Sequence, residues 1–234
     1  MQATTAVEAV PARGTPSWAE RWAPLSGTIF VALFVAALLV AFSALDTGDK
    51  LPKATQHFAT DDYRTAAVVT MLLALLGAIA FLWFLADLSA SARSISRGML
   101  SMLVPVSGVV FITGLIGGLG TWVTPLYAVN HSELGGADPK VAATSYILLT
   151  NVGFILFALA AVAGALLMSA AATTAYRGGF LPRWAVITIV VGAAVAVVGT
   201  FIFFIPFLLI VLWVLAASIR RTVLFKRGTL VPVP

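Results

Sequence analysis

Ala175-Tyr176-Arg177-Gly178-Gly179-Phe180-Leu181-Pro182-Arg183-Trp184 is a short basic turn between two long apolar runs. Upstream, residues 142–172 hold no charged side chain. Downstream, none follows Arg183 until Arg220. A chain that turns on a few basic residues between such runs is threading lipid. Gly178 and Gly179 suit the end of one helix, because glycine tolerates the left-handed cap, and Pro182 suits the start of the next. Arg177 and Arg183 bracket the turn and anchor it on one side of the membrane.

The rest of the chain agrees. Of 234 residues, 61% are hydrophobic and 10% charged, and the mean hydropathy is +1.04. Soluble domains carry about 25% charged residues, so water cannot be the solvent for most of this chain. The net charge of +5 comes from Lys and Arg beside the apolar runs, where they read as topology signals and headgroup contacts. They do not cluster with exposed aromatics, so nucleic acid is not expected as a partner; membrane lipids are. There is no cysteine, which excludes disulfides, thiolate metal sites and a Cys nucleophile.

Six apolar stretches fit membrane spans: about 27–45, 65–86, 99–121, 142–172, 184–203 and 206–220. They predict an all-α, polytopic helical bundle, since lipid admits only helices or closed barrels and these runs are too continuous for barrel strands. Residues 1–26 form an N-terminal tail, with 18–22 lying at the interface and Pro24 and Ser26 opening the first span. Residues 222–234 form a C-terminal tail. The first run is longer than a signal-peptide core, so a retained span is expected. Pro206 divides the last run into two spans, with residues 203–206 as the turn.

With six spans, ten Lys and Arg fall on the side of both termini and four on the other. Both termini are therefore expected in the cytoplasm. The inner anchors are Arg93 and Arg97 after the second span, Arg177 and Arg183 in the quoted turn, and Arg220 and Arg221 after the sixth. Merging the last two spans would invert the bias. Small residues mark helix contacts: Gly114 and Gly118 on the third span, Ala160 and Gly164 on the fourth, and Gly192, Ala196 and Gly199 on the fifth.

Asp62-Tyr63-Arg64 before a span ending Phe81-Leu82-Trp83-Phe84-Leu85, the segment Gly153-Phe154-Ile155-Leu156-Phe157-Ala158-Leu159, the basic turn and the ending Pro206-Phe207-Leu208-Leu209 form a recognisable set. With them, residues 62–221 resemble a broad set of six-span actinobacterial membrane proteins of the domain-of-unknown-function type. The resemblance implies a six-helix protein of a bacterial plasma membrane. It brings no reaction with it.

Few residues are candidates for chemistry. Asp87 is the acid closest to a span, and an acid in a membrane is usually functional. At the inner boundary, water or Arg93 can meet it, and a cap or interfacial salt bridge is favoured over proton coupling. Thr150 and Asn151, in the outer part of the fourth span, could bind a polar ligand between helices; a hydrogen bond to a neighbouring helix is the plainer reading. His57, Asp61, His131 and Glu133 fall in the outer polar segments and would make a His/carboxylate metal site only if those segments converge.

No metalloprotease, phosphate-loop, nucleophile-elbow or dinucleotide motif is present, so neither a catalytic set nor a cofactor is expected. These readings favour a non-enzymatic accessory or interaction bundle with a protein partner in the membrane. The alternative is a small transporter or a membrane protein that binds lipid or an apolar solute. The oligomeric state is not legible.

Overall fold

The computed structural model describes the backbone of residues 18–44, 61–96, 98–128, 139–202 and 207–226. It describes the side chains of 22–43, 65–96, 98–121, 148–202 and 207–224. Six α-helices, and no strand among the described residues, make up the fold. They are α1 Trp18–Ala44, α2 Asp61–Ile95, α3 Met99–Ala128, α4 Pro139–Arg177, α5 Arg183–Thr200 and α6 Leu208–Lys226. Five are long and apolar enough to cross a membrane, over Trp22–Ser43, Thr65–Ile95, Met99–Thr121, Leu148–Arg177 and Arg183–Thr200. The protein is a helical membrane bundle. In α6 the apolar part before Arg220 rises only about 18 Å, against roughly 30 Å of hydrocarbon.

The helix bounds correct several sequence expectations. α1 starts at Trp18, so 18–22 continues the first span and Pro24 lies inside the helix. Pro24 is the seventh residue of α1, past the first turn, so it removes the N–H that would meet the Glu20 carbonyl and disfavours a straight helix at that point. α2 is described from Asp61, which places the backbone of Asp61 and Asp62 in the helix. It then continues through Ile95, beyond the expected end at 86, because nothing in Ser89–Ile95 breaks a helix. α3 continues as helix to Ala128, while its apolar span, Met99–Thr121, has the expected bounds. α5 and α6 are separate helices; the expected turn at 203–206 lies outside the described residues.

Neighbours along the chain pack as neighbours in space: α1 on α2, α2 on α3, α3 on α4 and α4 on α5. α6 returns to α1 and touches α4 as well as α5, so α1, α2, α3, α4 and α6 close a ring. α5 stands outside it. Only 17% of its span is buried, against 39–44% in the other four.

The ring is filled by phenyl groups. Phe30 and Phe34 of α1, Phe81 and Phe84 of α2, Phe111 of α3, Phe157 of α4 and Phe207 before α6 are all fully buried. They form one network: Phe30–Phe81 centroids lie 5.0 Å apart, Phe81–Phe111 5.3 Å, Phe111–Phe207 6.1 Å and Phe157–Phe207 6.1 Å. Tilted, edge and stacked contacts of this kind add about 0.5–1.5 kcal/mol each beyond simple burial. The bundle's outside is apolar too, with Leu72, Leu76, Ile79, Leu148 and Ile155 exposed to the surroundings.

Small residues let the helices approach. A Cβ at Gly114 would lie 2.9 Å from the Leu156 carbonyl oxygen, and one at Gly118 would lie 3.0 Å from the Phe157 ring. The α3 glycine pair is therefore used inside the molecule, against α4. On α5 the buried face holds Ala193 and Ala196, while a Cβ at Gly192 meets nothing within 4 Å. Of the expected stripe Ala196 is buried, while Ala193 rather than Gly192 completes the packed face, because α5 has α4 as its main neighbour and packs only one narrow face.

The basic turn closes α4 with a Schellman motif. Phe180 N–H donates to Ala175 C=O and Gly179 N–H to Tyr176 C=O, both at 2.9 Å. Gly179 has φ +74°, the left-handed geometry that glycine adopts without penalty. Pro182, extended at ψ 155°, is the residue before α5, so the cap falls on Pro182 and the first helical position on Arg183.

Candidate functional site

Four contacts gather one end of the bundle. Arg221 of α6 pairs with Asp87 of α2. Arg220 donates to the Phe180 carbonyl in the α4–α5 turn. Ser218 of α6 bonds to Pro24 and Thr28 of α1. Ile95 of α2 lies 3.2 Å from where a Gly178 Cβ would stand. The early part of α1, the end of α2, the α4–α5 turn and the end of α6 thus share one face. Arg93, Arg177, Arg183, Arg220 and Arg221 lie at this end; Arg97 lies outside the described residues.

Asp87 is the centre of the largest polar group here. Arg221 Nε donates to Asp87 Oδ2 at 2.8 Å, and Nη2 lies 2.7 Å from the same oxygen. Nη2 also donates to Ser91 Oγ at 2.6 Å. Asp87 and Ser91 are one helical turn apart on α2, so a single guanidinium spans both. The two side chains of the pair are 23% and 14% exposed, respectively. A charge-assisted bond between half-buried partners holds helices together.

The sequence offered water or Arg93 as the partner. Six residues on a helix place it about 120° round from Asp87 and about 9 Å along the axis, so it faces elsewhere. Arg221, read as a topology anchor only, is also the counter-ion. Ser91 was missed altogether; its signal was the four-residue spacing from Asp87.

Beside the ion pair, fully buried Ser218 is stitched into α1. Thr28 N–H donates to Ser218 Oγ at 3.0 Å, and Ser218 Oγ donates to Pro24 C=O. Those two backbone groups are the pair an unbroken helix would join directly, so the hydroxyl bridges α1's own ladder. Thr28 Oγ1 is also 3.0 Å away. One donor and two accepted bonds satisfy the hydroxyl. Gly27 makes the approach possible, since a Cβ there would fall 2.9 Å from both Phe84 Cδ2 and Ser218 Cβ. Neither Ser218 nor Thr28 stood out in the sequence, where a lone hydroxyl in an apolar run reads as bland.

The other candidates do not join this group. Asn151 is exposed and Thr150 half-buried, near the start of the α4 span. They stand about 39 Å of helix from Arg177, towards the opposite end of the bundle. His57, His131 and Glu133 lie outside the described residues, and of Asp61 only the backbone is described. No group of three or more His, Cys, Asp or Glu able to hold a metal occurs among the described residues.

A lateral groove of about 310 Å³ opens between α2 and α3 near the basic end, lined by Leu82, Leu85, Ala86, Ser89, Arg93 and Pro105 among others. It lies on the side of α2 away from Asp87.

Comparison with protein-family models, with curated proteins and with solved structures finds no match.

Proposed function

We propose that this protein is a non-enzymatic accessory bundle of a bacterial plasma membrane, in which α6 crosses as a short sixth span and both termini lie in the cytoplasm, and that it works through contacts on its lipid-facing surface. The resemblance to actinobacterial six-span proteins supports the bacterial plasma membrane and brings no activity with it. The observation that supports it is the closed phenyl core. A conduit for ions or polar solutes needs a polar path, and here the centre of the helix ring is occupied by Phe30, Phe81, Phe111, Phe157 and Phe207. The Asp87–Arg221 pair is at the bundle's end and joins helices.

The surface left for a partner includes α5, with Ile187, Val191, Val195 and Val198 exposed. Photo-crosslinking from Val191 and Val195 in native membranes is expected to capture one membrane protein in constant proportion. Flux of ions or polar solutes through purified protein in liposomes, above empty liposomes, would overturn the reading. The second reading, a lipid-binding membrane protein, draws its support from the α2–α3 groove.

A further inference from the structure

We propose that the α2–α3 groove binds one anionic phospholipid, its phosphate between Ser89 and Arg93 and the start of one acyl chain along Leu82, Leu85 and Pro105. The inference gives the lipid-binding reading its ligand class and residues. It does not depend on a protein partner.

The first observation is Ser89. It is 4% exposed, and its Oγ has no hydrogen-bond partner. A buried hydroxyl left unpaired costs about 1–3 kcal/mol. Ser101, Ser107 and Thr174 avoid that cost by bonding back to Gly98, Leu103 and Ala170 C=O; Thr70 of α2 shares it with Ser89, but Thr70 does not line this groove. Ser89 lines the groove instead. It keeps a donor for an acceptor that the protein does not supply.

The second observation is charge. Arg93 lines the same groove one helical turn further towards the basic end, and it is exposed. Residues four apart on a helix are about 6 Å apart, a span one phosphate can bridge. No carboxylate among the described residues forms a salt bridge with Arg93. Asp87, on the far side of α2, is already paired with Arg221.

The third observation is the rest of the lining. Leu82, Leu85, Ala86 and Pro105 are apolar and lead from the basic end towards the middle of the span. A soluble anion has no use for them; an acyl chain does. At about 310 Å³ the groove is at the lower end of ligand-site volumes, enough for a headgroup phosphate and the first part of one chain.

The test is native mass spectrometry of the full chain released from nanodiscs that contain phosphatidylglycerol and phosphatidylcholine, with thermal stability followed in parallel. Wild type is expected to retain one phosphatidylglycerol in preference to phosphatidylcholine. Arg93→Gln, an exposed change that leaves the fold intact, is expected to weaken retention roughly fivefold, the worth of one basic residue at a lipid surface.

Ser89→Leu, which fills the groove, should abolish it. Ser89→Ala should weaken retention while leaving lipid-free stability equal or higher, since it removes an unpaired hydroxyl. Equal retention in wild type and Arg93→Gln overturns the proposal, and so does equal binding of the two lipids. Displacement by inorganic phosphate would reassign the groove to a free anion and overturn it likewise.

Discussion

Arg221 Nη2 lies 2.7 Å from Asp87 Oδ2, joining α6 to α2 across 134 residues of chain. Removing either partner leaves the other half-buried and unpaired. Asp87→Ala and Arg221→Ala are each expected to destabilise the protein in nanodiscs by about 2–3 kcal/mol. Asp87→Asn, which still offers an oxygen to the guanidinium, should cost less. The double variant should cost less than the sum of the singles. Thermal unfolding followed by tryptophan fluorescence measures all four, and unchanged midpoints in both alanine variants would contradict the clamp.

The glycines separate by what surrounds them. Gly114→Ala must push a methyl against the Leu156 carbonyl and is expected to cost about 1–3 kcal/mol. Gly192→Ala enters open space and gains helix propensity, so it is expected to be neutral or stabilising by up to about 1 kcal/mol. The same unfolding measurement decides; equal effects at the two positions would mean that α3 and α4 do not approach as described.

At the α1–α6 seam, Ser218→Ala frees Thr28 N–H and Pro24 C=O to bond to each other, so the expected loss is modest, about 1 kcal/mol. Gly27→Ala forces Phe84 and Ser218 outward and should cost more, about 1–3 kcal/mol. Hydrogen exchange at Thr28 gives a second reading: faster exchange is expected in Gly27→Ala than in Ser218→Ala.

The absence of cysteine makes sidedness directly measurable. Single cysteines at Gly179 and Leu230 are expected to react with a membrane-impermeant thiol reagent only from the cytoplasmic side. Cysteines at Thr55 and Gly135 should react only from the opposite side. Labelling of Gly179→Cys from outside the cell would invert the proposed orientation.

The helices were legible because uncharged runs of about twenty residues have few alternatives in lipid. Their ends were less so. Asp61-Asp62 and Ser89-Ala90-Ser91 look polar enough for a loop, yet contain nothing that stops a helix. The clamp was half legible: Asp87 drew attention as an acid near a span, but its partner lies far away in sequence, and local proximity pointed to Arg93. Ser218 and Ser89 were invisible for the same reason. A hydroxyl in an apolar run gains its meaning only from the carbonyl it meets, or does not meet, on another helix. The α5 stripe shows the same limit. Composition marks a helix as able to pack closely, while the neighbours choose the face.

The Ser218 bridge has a consequence for the order in which the molecule is made. Its partners are 190 residues apart, in α1 and α6, the earliest and the latest of the described helices to leave the ribosome. At roughly 5–20 residues per second, α1 waits about 10–40 s for α6. During that interval α1 can settle against α2, but the groove that will receive Ser218 stays open. The stitch is a late closing event in biogenesis. A chain truncated before α6 would be held at that stage, with Gly27 and Thr28 still presented to the membrane-insertion machinery.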